Sequence, residues 1–486
     1  MNILSLITFL PLAGALAVLA VPKEKERAIQ SVALLFSGLS LVLSAALFFF
    51  FNRQTPDMQF VERVPWIPSI GVQYFMGVDG LSYPLVLLTA LMTFLSLVAS
   101  LNIKNRIKEY FFWFLVLEVG MLGVFASLDL VLFYIFWEVT LVPMYFLIGI
   151  WGGPKKEYAA IKFFLYTLTG SVFMLLGILA VYFKSTPHTF DLMILLQSHA
   201  TWDRTFQIIV FLAFYLGFAV KVPAFPFHTW LPLAHVEAPT AVSVVLAAVL
   251  LKMGVYGIMR VSYGMLPLGF QWFLPALIVI AVINIIYGAL CAMAQDDMKK
   301  MVAYSSVNHM GYCLLGIAGL SVTGFAVSVL EMVNHGIISG ALFLLVGVIY
   351  DRAHTRDINA FGGLAAKLPV YAGIMSLACF ASLGLPGLAG FWGELMCFVG
   401  AFPRWKLYTA VSVIGLLVTT GFFLRMLEKV FLGPFNEKWA GLTDLDAREL
   451  CALVPLVLLT IYIGVYPKPV LDLINATVGN MAGLIK

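Results

Sequence analysis

Apolar stretches of about twenty residues follow one another along nearly the whole chain, each long enough to cross the hydrocarbon layer of a bilayer as a helix. In lipid every backbone polar group must be satisfied within the fold, so such a chain is confined to packed transmembrane helices. Composition supports lipid, rather than a large water-soluble core, as the reason for these stretches. Of 486 residues, 62% are hydrophobic and 11% charged, against roughly 45–50% and 25% in soluble domains. So little charge cannot cover the outside of a soluble fold of this length. The net charge of +4 is spread along the chain with no basic run, which argues against nucleic acid as a partner. The five cysteines (Cys291, Cys313, Cys379, Cys397 and Cys451) lie in apolar stretches with no CxxC spacing and no histidine cluster. That excludes a zinc or iron–sulfur signature, and they read as small core residues.

The fold class expected is all-α integral membrane, with about 14 transmembrane helices. The spans lie near 2–21, 28–51, 78–100, 110–126, 130–150, 159–183, 207–231, 239–262, 271–294, 301–320, 323–350, 369–400, 407–432 and 449–467. The first reads as an anchor, lacking a basic flank and a small-residue cleavage site. A break near Ser127–Asp129 is needed, because 110–150 as one helix would be about 60 Å long. With the N-terminus outside, sixteen loop Lys and Arg fall on the cytoplasmic side and nine on the other; the excess places both termini out. Residues 52–77, with Pro56, Pro65, Pro68 and short apolar–polar alternation, predict a small outer β-hairpin. Beyond Tyr466, the spacing of Val470, Leu471, Leu473, Ile474, Val478, Met481 and Leu484 predicts an amphipathic helix on a surface or partner.

An ionised side chain at the centre of a span costs roughly 2.5–3.5 kcal/mol by insertion scales, so it persists where it faces a wet cavity or a partner. Glu138 lies about 12 and 18 Å from the ends of its span. Lys221 and Lys252 are as deep, and their side chains are too short to reach an interface. His309, His335 and Glu394 are also well inside. Lys162 and Arg425, nearer span ends, read as snorkelling anchors. Glu118 stays open between a function and a neutral carboxyl held by a carbonyl, and His309 taken alone could be a hydrogen-bonded core histidine.

Two spans are broken. Lys221-Val222-Pro223-Ala224-Phe225-Pro226-Phe227-His228 puts two prolines inside one, and Leu383-Gly384-Leu385-Pro386-Gly387-Leu388-Ala389-Gly390 interrupts another. Each proline removes a backbone donor and clashes with a preceding carbonyl; irregular backbone at membrane depth survives only where protein buries it or it lines a cavity. Each break adjoins an ionisable group, Lys221 or Glu394. The block 110–262 and the block 271–432 each hold five spans with the fourth broken, and they start from opposite sides, which predicts two inverted five-helix repeats. The remaining divisions are 1–109, with three spans and the outer hairpin, and 433–486, with the last span and the amphipathic helix.

Low dielectric favours the neutral amine of a lysine, and a nearby carboxylate favours the ammonium. A change in the Glu138–Lys221 distance would therefore move a proton. Lys252, His309 and His335 are further titratable stations, Glu331 shares a helix face with His335 and could tune it, and Glu394 would be the last station. The row reads as a proton wire. No haem-ligand pattern, Rossmann fingerprint or Walker motif accompanies it, so the driving energy comes from a partner.

Taken together, Phe136-Trp137-Glu138 through Trp151-Gly152, Lys221 through Pro239 and Ala303-Tyr304-Ser305-Ser306-Val307-Asn308-His309-Met310-Gly311 make the chain resemble the antiporter-like membrane subunits of respiratory complex I, the proton-pumping NADH:quinone oxidoreductase. The resemblance covers nearly the whole chain. Glutamate at position 394, where lysine is usual, points to the subunit M branch; Glu331 stands where an uncharged polar residue is more usual. The resemblance implies a modulating carboxylate at Glu138, a proton-carrying Lys221, a connecting Lys252, a central relay of His309 and His335, and an outlet at Glu394. It implies no cofactor in this chain, with NADH or another donor, flavin, iron–sulfur clusters and quinone in partner subunits. Neighbouring membrane subunits would be clasped by the outer hairpin and the C-terminal helix, and the setting would be the bacterial plasma membrane. The alternatives are a subunit of a multi-subunit sodium/proton antiporter or membrane-bound hydrogenase, and a structural membrane subunit that transports nothing.

Overall fold

The computed structural model describes residues 2–483. Leu484, placed above on the apolar face of the tail, and Lys486, counted among the outer charges, lie outside the described residues. The chain opens with helices α1 (Ile3–Ala20) and α2 (Glu26–Phe50), a hairpin of strands β1 (Gln59–Ile67) and β2 (Val72–Val78), and α3 (Tyr83–Ala99). Next come α4 (Ile107–Ala126), α5 (Leu130–Val139), α6 (Leu141–Trp151), α7 (Lys156–Lys184), the short α8 (Leu192–Ser198), α9 (Arg204–Lys221) and α10 (Trp230–Glu237). A run of α11 (Thr240–Val245) and α12 (Leu251–Gly257) follows, with π-helical turns at Leu246–Leu250 and Ile258–Tyr263. The second half comprises α13 (Pro267–Met293), α14 (Met298–Ala318), α15 (Val322–Ala353), α16 (Pro369–Ser382), α17 (Ala389–Ala401), α18 (Lys406–Phe431), α19 (Ala447–Val465) and α20 (Lys468–Ala482).

Twelve helical runs among the described residues are long and apolar enough to cross a bilayer. The helix α14 has the length but begins with Lys299 and Lys300 and carries Ser305, Ser306, Asn308 and His309, while α16 and α17 are each short. The apolar window of Thr240–Tyr263 is 100% buried and that of α15 94%, whereas α2 is 28% and α18 33% buried. A helix apolar all round needs neighbours on every side, so α11–α12 and α15 form the centre, and α2, α7 and α18 face outward.

Several boundaries depart from the sequence reading. The third span begins at Tyr83 and not at 78, because Val78 still pairs with Gln59 in the hairpin. The span 130–150 is interrupted at Thr140, where Pro143 can neither donate to the carbonyl of Val139 nor pass it without a clash. Cys451 is exposed and Cys291 partly so, which corrects the reading of all five cysteines as core; those two fit among lipid-facing side chains instead. The hairpin is tied to the first helix by Glu62, whose carboxylate accepts from the backbone of Leu4 at 2.7 Å and Ser5 at 3.1 Å. It thereby supplies partners for orphan donors of the first turn. The tail helix α20 folds back on its own chain, burying Leu473, Ile474, Val478 and Met481 against α3 and α15. Gly80 N–H donates to Thr477 Oγ1 at 2.9 Å, and the Tyr263 hydroxyl donates to the Met481 carbonyl at 2.9 Å.

Candidate functional site

The first break is built by the chain around it. Helix α9 stops at Lys221 because Pro223 and Pro226 cannot donate backward. The freed groups find partners within the protein: Phe225 N–H donates to Asn284 Oδ1 at 2.8 Å, the Asn284 amide reaches the Pro223 carbonyl at 3.3 Å, and Trp230 Nε1 donates to the Val220 carbonyl at 2.9 Å. This leaves Lys221 at a helix C-terminus, where the helix dipole favours a cation. Its Nζ donates to Thr140 Oγ1 at 3.4 Å and lies 5.3 Å from the Trp137 ring and 5.7 Å from the Phe163 ring. Thr140 sits at the interruption created by Pro143, two residues beyond Glu138.

The expected close pair of Glu138 and Lys221 is not an ion pair. No salt bridge joins them among the described residues, although the carboxylate is within coulombic range of the ammonium. Thr140 occupies the lysine instead, and the Glu138 side chain turns toward an outward groove of about 400 Å³ shared with Trp113, Tyr134, Ile135 and Val142. Its Oε1 has no hydrogen-bond partner among the described residues.

The other four residues form one connected row. Lys252 lies between the two π-helical turns, and its Nζ donates to the Ala247 carbonyl at 2.5 Å and meets His335 Nδ1 at 2.5 Å. The rings of His335 and His309 are 5.2 Å apart. His309 Nε2 meets Ser382 Oγ at 2.9 Å, while Nδ1 faces Glu331 Oε1 at 3.2 Å and Glu394 Oε1 at 3.5 Å. Thus Glu331 addresses His309 across the helix interface, rather than His335 on its own helix as the spacing suggested. The second break holds this end open: Gly384 has φ +77°, and a Cβ there would stand 2.5 Å from Glu394 Oε2. Asn334 Nδ2 donates to the Ala389 carbonyl at 2.8 Å and closes the start of α17. No hydrogen bond links Lys221 to Lys252 among the described residues; the helices bearing them touch at Gly254, whose Cα hydrogen faces the Phe218 carbonyl.

The sequence reading missed several polar groups beside this row. His235 is fully buried, stacks on Phe343 with centroids 4.4 Å apart, and has no hydrogen-bond partner on either ring nitrogen among the described residues. Lys299, also buried, donates to the Ala238 carbonyl at 2.5 Å and forms part of the wall of a cavity of about 340 Å³, with Glu237, Thr240, Asp351 and Arg356. Asp79 and Arg260 make a buried ion pair at the opposite end of the α12 run. The quoted stretch Lys221–Pro239 contains His235, but a lone histidine on a short apolar helix gave no signal of its own. Glu118 lies off the row, accepting from Ser37 Oγ at 3.1 Å. Arg425, read as a snorkelling anchor, pairs with Asp296 at 2.7 Å. Among the described residues, no three His, Cys, Asp or Glu side chains are grouped to hold a metal ion.

Comparison with known proteins gives this row a setting. Residues 127–422 match the family described as NADH:quinone oxidoreductase/Mrp antiporter, transmembrane, and residues 6–125 match that described as NADH-ubiquinone oxidoreductase chain 4, amino terminus. The NADH-quinone oxidoreductase subunit M of Rhodobacter capsulatus is 45% identical, covering 99% of this chain and 96% of the relative. Its counterpart in Rickettsia conorii is 41% identical over 99% and 98%. A chain of respiratory complex I from Thermus thermophilus, solved with bound NADH, superposes with a TM-score of 0.89 at 31% identity, over 100% of both chains. Identity at this level over the full length, with the same fold, places the chain in the NADH-quinone oxidoreductase subunit M and chain 4 family.

Proposed function

We propose that the chain is a proton-translocating membrane subunit of an NADH:quinone oxidoreductase of the complex I type, and that the row of ionisable side chains from Glu138 to Glu394 carries the protons. The observation that carries this reading is the unbroken sequence of contacts Lys252–His335–His309–Glu394 through the middle of a membrane fold. Groups this costly to bury are retained for charge movement. Lys221, held on Thr140 at the first break, loads or releases a proton as Glu138 approaches or withdraws. Lys252 and the two histidines pass protons along the membrane plane, and Glu394 delivers them outward. The cavity walled by Lys299 supplies the inlet from the side richer in lysine and arginine. Flavin, iron–sulfur clusters and quinone belong to partner subunits, which also supply the driving energy.

The twelve long apolar helices, together with α14 and the broken pair α16–α17, support fourteen spans. They support two inverted five-helix repeats over 110–262 and 271–432, flanked by 1–109 and 433–486. Both termini face out of a bacterial plasma membrane, and the hairpin and α20 meet neighbouring subunits at that face. The test is redox-driven proton pumping by the intact complex in sealed vesicles, wild type against Lys221→Ala, with assembly and electron transfer followed in parallel. The expected result is an assembled complex whose pumping falls by an order of magnitude or more. Unchanged pumping per electron would make the lysine structural and end the proposal.

A further inference from the structure

The outer end of the row holds two carboxylates where the relay uses one. Glu331 comes from α15 and Glu394 from α17, and both reach the same nitrogen of His309, at 3.2 and 3.5 Å. That nitrogen carries a single hydrogen, so it serves one carboxylate at a time. The ring is fixed from the other side by Ser382 at 2.9 Å on Nε2. Glu331 and Glu394 are 1% and 2% exposed. Glu331 Oε2 and both oxygens of Glu394 have no hydrogen-bond partner among the described residues. The close approach is built in: Gly393 lets α17 pass against Glu331, since a Cβ there would lie 2.0 Å from Glu331 Oε2.

Two carboxylates this near each other and this far from water do not ionise together, because each anion raises the cost of the other. A protonated histidine between them balances one anion. The cluster is neutral with one imidazolium, one carboxylate and one carboxylic acid. Which carboxyl is ionised then decides which of the two accepts from Nδ1–H.

We propose that Glu331 is a second relay carboxylate, the standing counter-ion that recharges His309 after each proton leaves through Glu394. At rest, the His309 imidazolium donates to ionised Glu331 and Glu394 holds a proton. As Glu394 releases that proton from Oε2 toward the outer side, the Nδ1–H bond of His309 breaks, its electron pair staying on nitrogen, and a new O–H bond forms on Glu394 Oε1, so that the two carboxylates are not anions together. Neutral His309 now faces ionised Glu331, whose charge draws the next proton onto the ring from His335 and Lys252. One proton arrives and one leaves per cycle. Glu331 itself is never consumed. The inference rests on the relay proposed above and adds to it a residue that the resemblance leaves without a role.

The experiment uses the intact complex in sealed vesicles, with Glu331→Gln, Glu331→Asp, Glu394→Gln and Lys252→Ala compared with wild type. Glutamine keeps the size and a hydrogen-bond acceptor, so packing is preserved while the charge is lost. Pumping in Glu331→Gln is expected to fall about tenfold in an assembled complex, with Glu331→Asp restoring at least half. Infrared difference spectra supply a second readout. The carbonyl stretch of one neutral carboxylic acid is expected to vanish on removing either carboxylate, because the two share one proton. Wild-type pumping in Glu331→Gln, or a carboxylic-acid band that survives in either single variant, overturns the inference. If Lys252→Ala also pumps normally, the relay itself has failed; if Lys252→Ala fails while Glu331→Gln does not, only the role of Glu331 is wrong.

Discussion

Gly384 sets the position of the outlet carboxyl. Its φ of +77° is a conformation costing a residue with a side chain roughly 1–2 kcal/mol, and its missing Cβ is the space that Glu394 Oε2 occupies at 2.5 Å. Gly387 provides the control, having φ +91° with no atom within 4 Å of a Cβ. Gly384→Ala is therefore expected to reduce proton pumping at least fivefold, with assembly retained. Gly387→Ala should carry a comparable backbone cost and leave pumping within twofold of wild type. Vesicle assays on both variants check this; equal losses would mean that backbone strain, and not displacement of Glu394, is responsible. Although Glu138 is only half-buried, the mid-span positions of Glu138, Lys221, Lys252, His309, His335 and Glu394 were readable from the chain because charge inside an apolar stretch stands out. Their partners were less so. Helical spacing put Glu331 beside His335, whereas the neighbour it meets is His309 on α14. Periodicity reports contacts within a helix and is silent about which helix packs across from it. Thr140 and Ser382 were invisible for a related reason, since small hydroxyls in apolar spans ordinarily bond to their own helix.

Proline was an uneven guide to where helices stop. Pro223, Pro226 and Pro386 sit in breaks that the sequence located, yet Pro11, Pro275 and Pro455 lie inside continuous helices, and Pro143 interrupts a span read as whole. Proline does not stop a helix by itself, because another element can take up the carbonyl it frees: Ser40 Oγ of α2 donates to the Ile7 carbonyl, four residues before Pro11, at 2.9 Å, and α1 runs on. At the first break that element is α13. Asn284 accepts from Phe225 N–H and donates to the Pro223 carbonyl, bonds no local pattern could reveal. Asn284→Leu is nearly isosteric but orphans both groups. Each buried orphan costs about 1–3 kcal/mol, so thermal unfolding of the purified complex should begin at a lower temperature. Pumping should fall with it, because the end of α9 that positions Lys221 loses its support. Unaltered thermal stability and pumping would show that the break holds without α13. The π-helical turns around Lys252 were equally hidden, since they preserve the apolar pattern of an ordinary span while shifting its register.

Under the proposed inverted repeat, the two halves carry the same device with opposite chemistry. In the first half the acid, Glu138, is on the second helix and the base, Lys221, is at the broken fourth. In the second half the base, His309, is on the second helix and the acid, Glu394, is beside the break. The base–acid pair of the second half is in contact at 3.5 Å, whereas Thr140 takes the lysine of the first. Between them lies the Lys252–His335 pair, so the centre needs its own route to water. In the proposed function that route begins at the cavity of about 340 Å³ walled by Thr240 and Lys299. Behind the wall stands His235, with neither nitrogen hydrogen-bonded among the described residues and within coulombic range of Lys299 and Lys252. Buried imidazole nitrogens are rarely left unpaired, and a water path past His235, as the proposed inlet requires, would supply their partners. Thr240→Cys places a thiol in the cavity wall without touching the row. Before labelling, the complex should pump at the wild-type rate. Modification by a cationic methanethiosulfonate, from the side carrying the lysine-rich loops, both fills the cavity and adds a charge that repels incoming protons. Pumping should then drop at least fivefold, and reduction of the mixed disulfide should restore it. A labelled complex that pumps at the wild-type rate would place the inlet elsewhere, and labelling only from the opposite side would invert the orientation drawn from the basic loops.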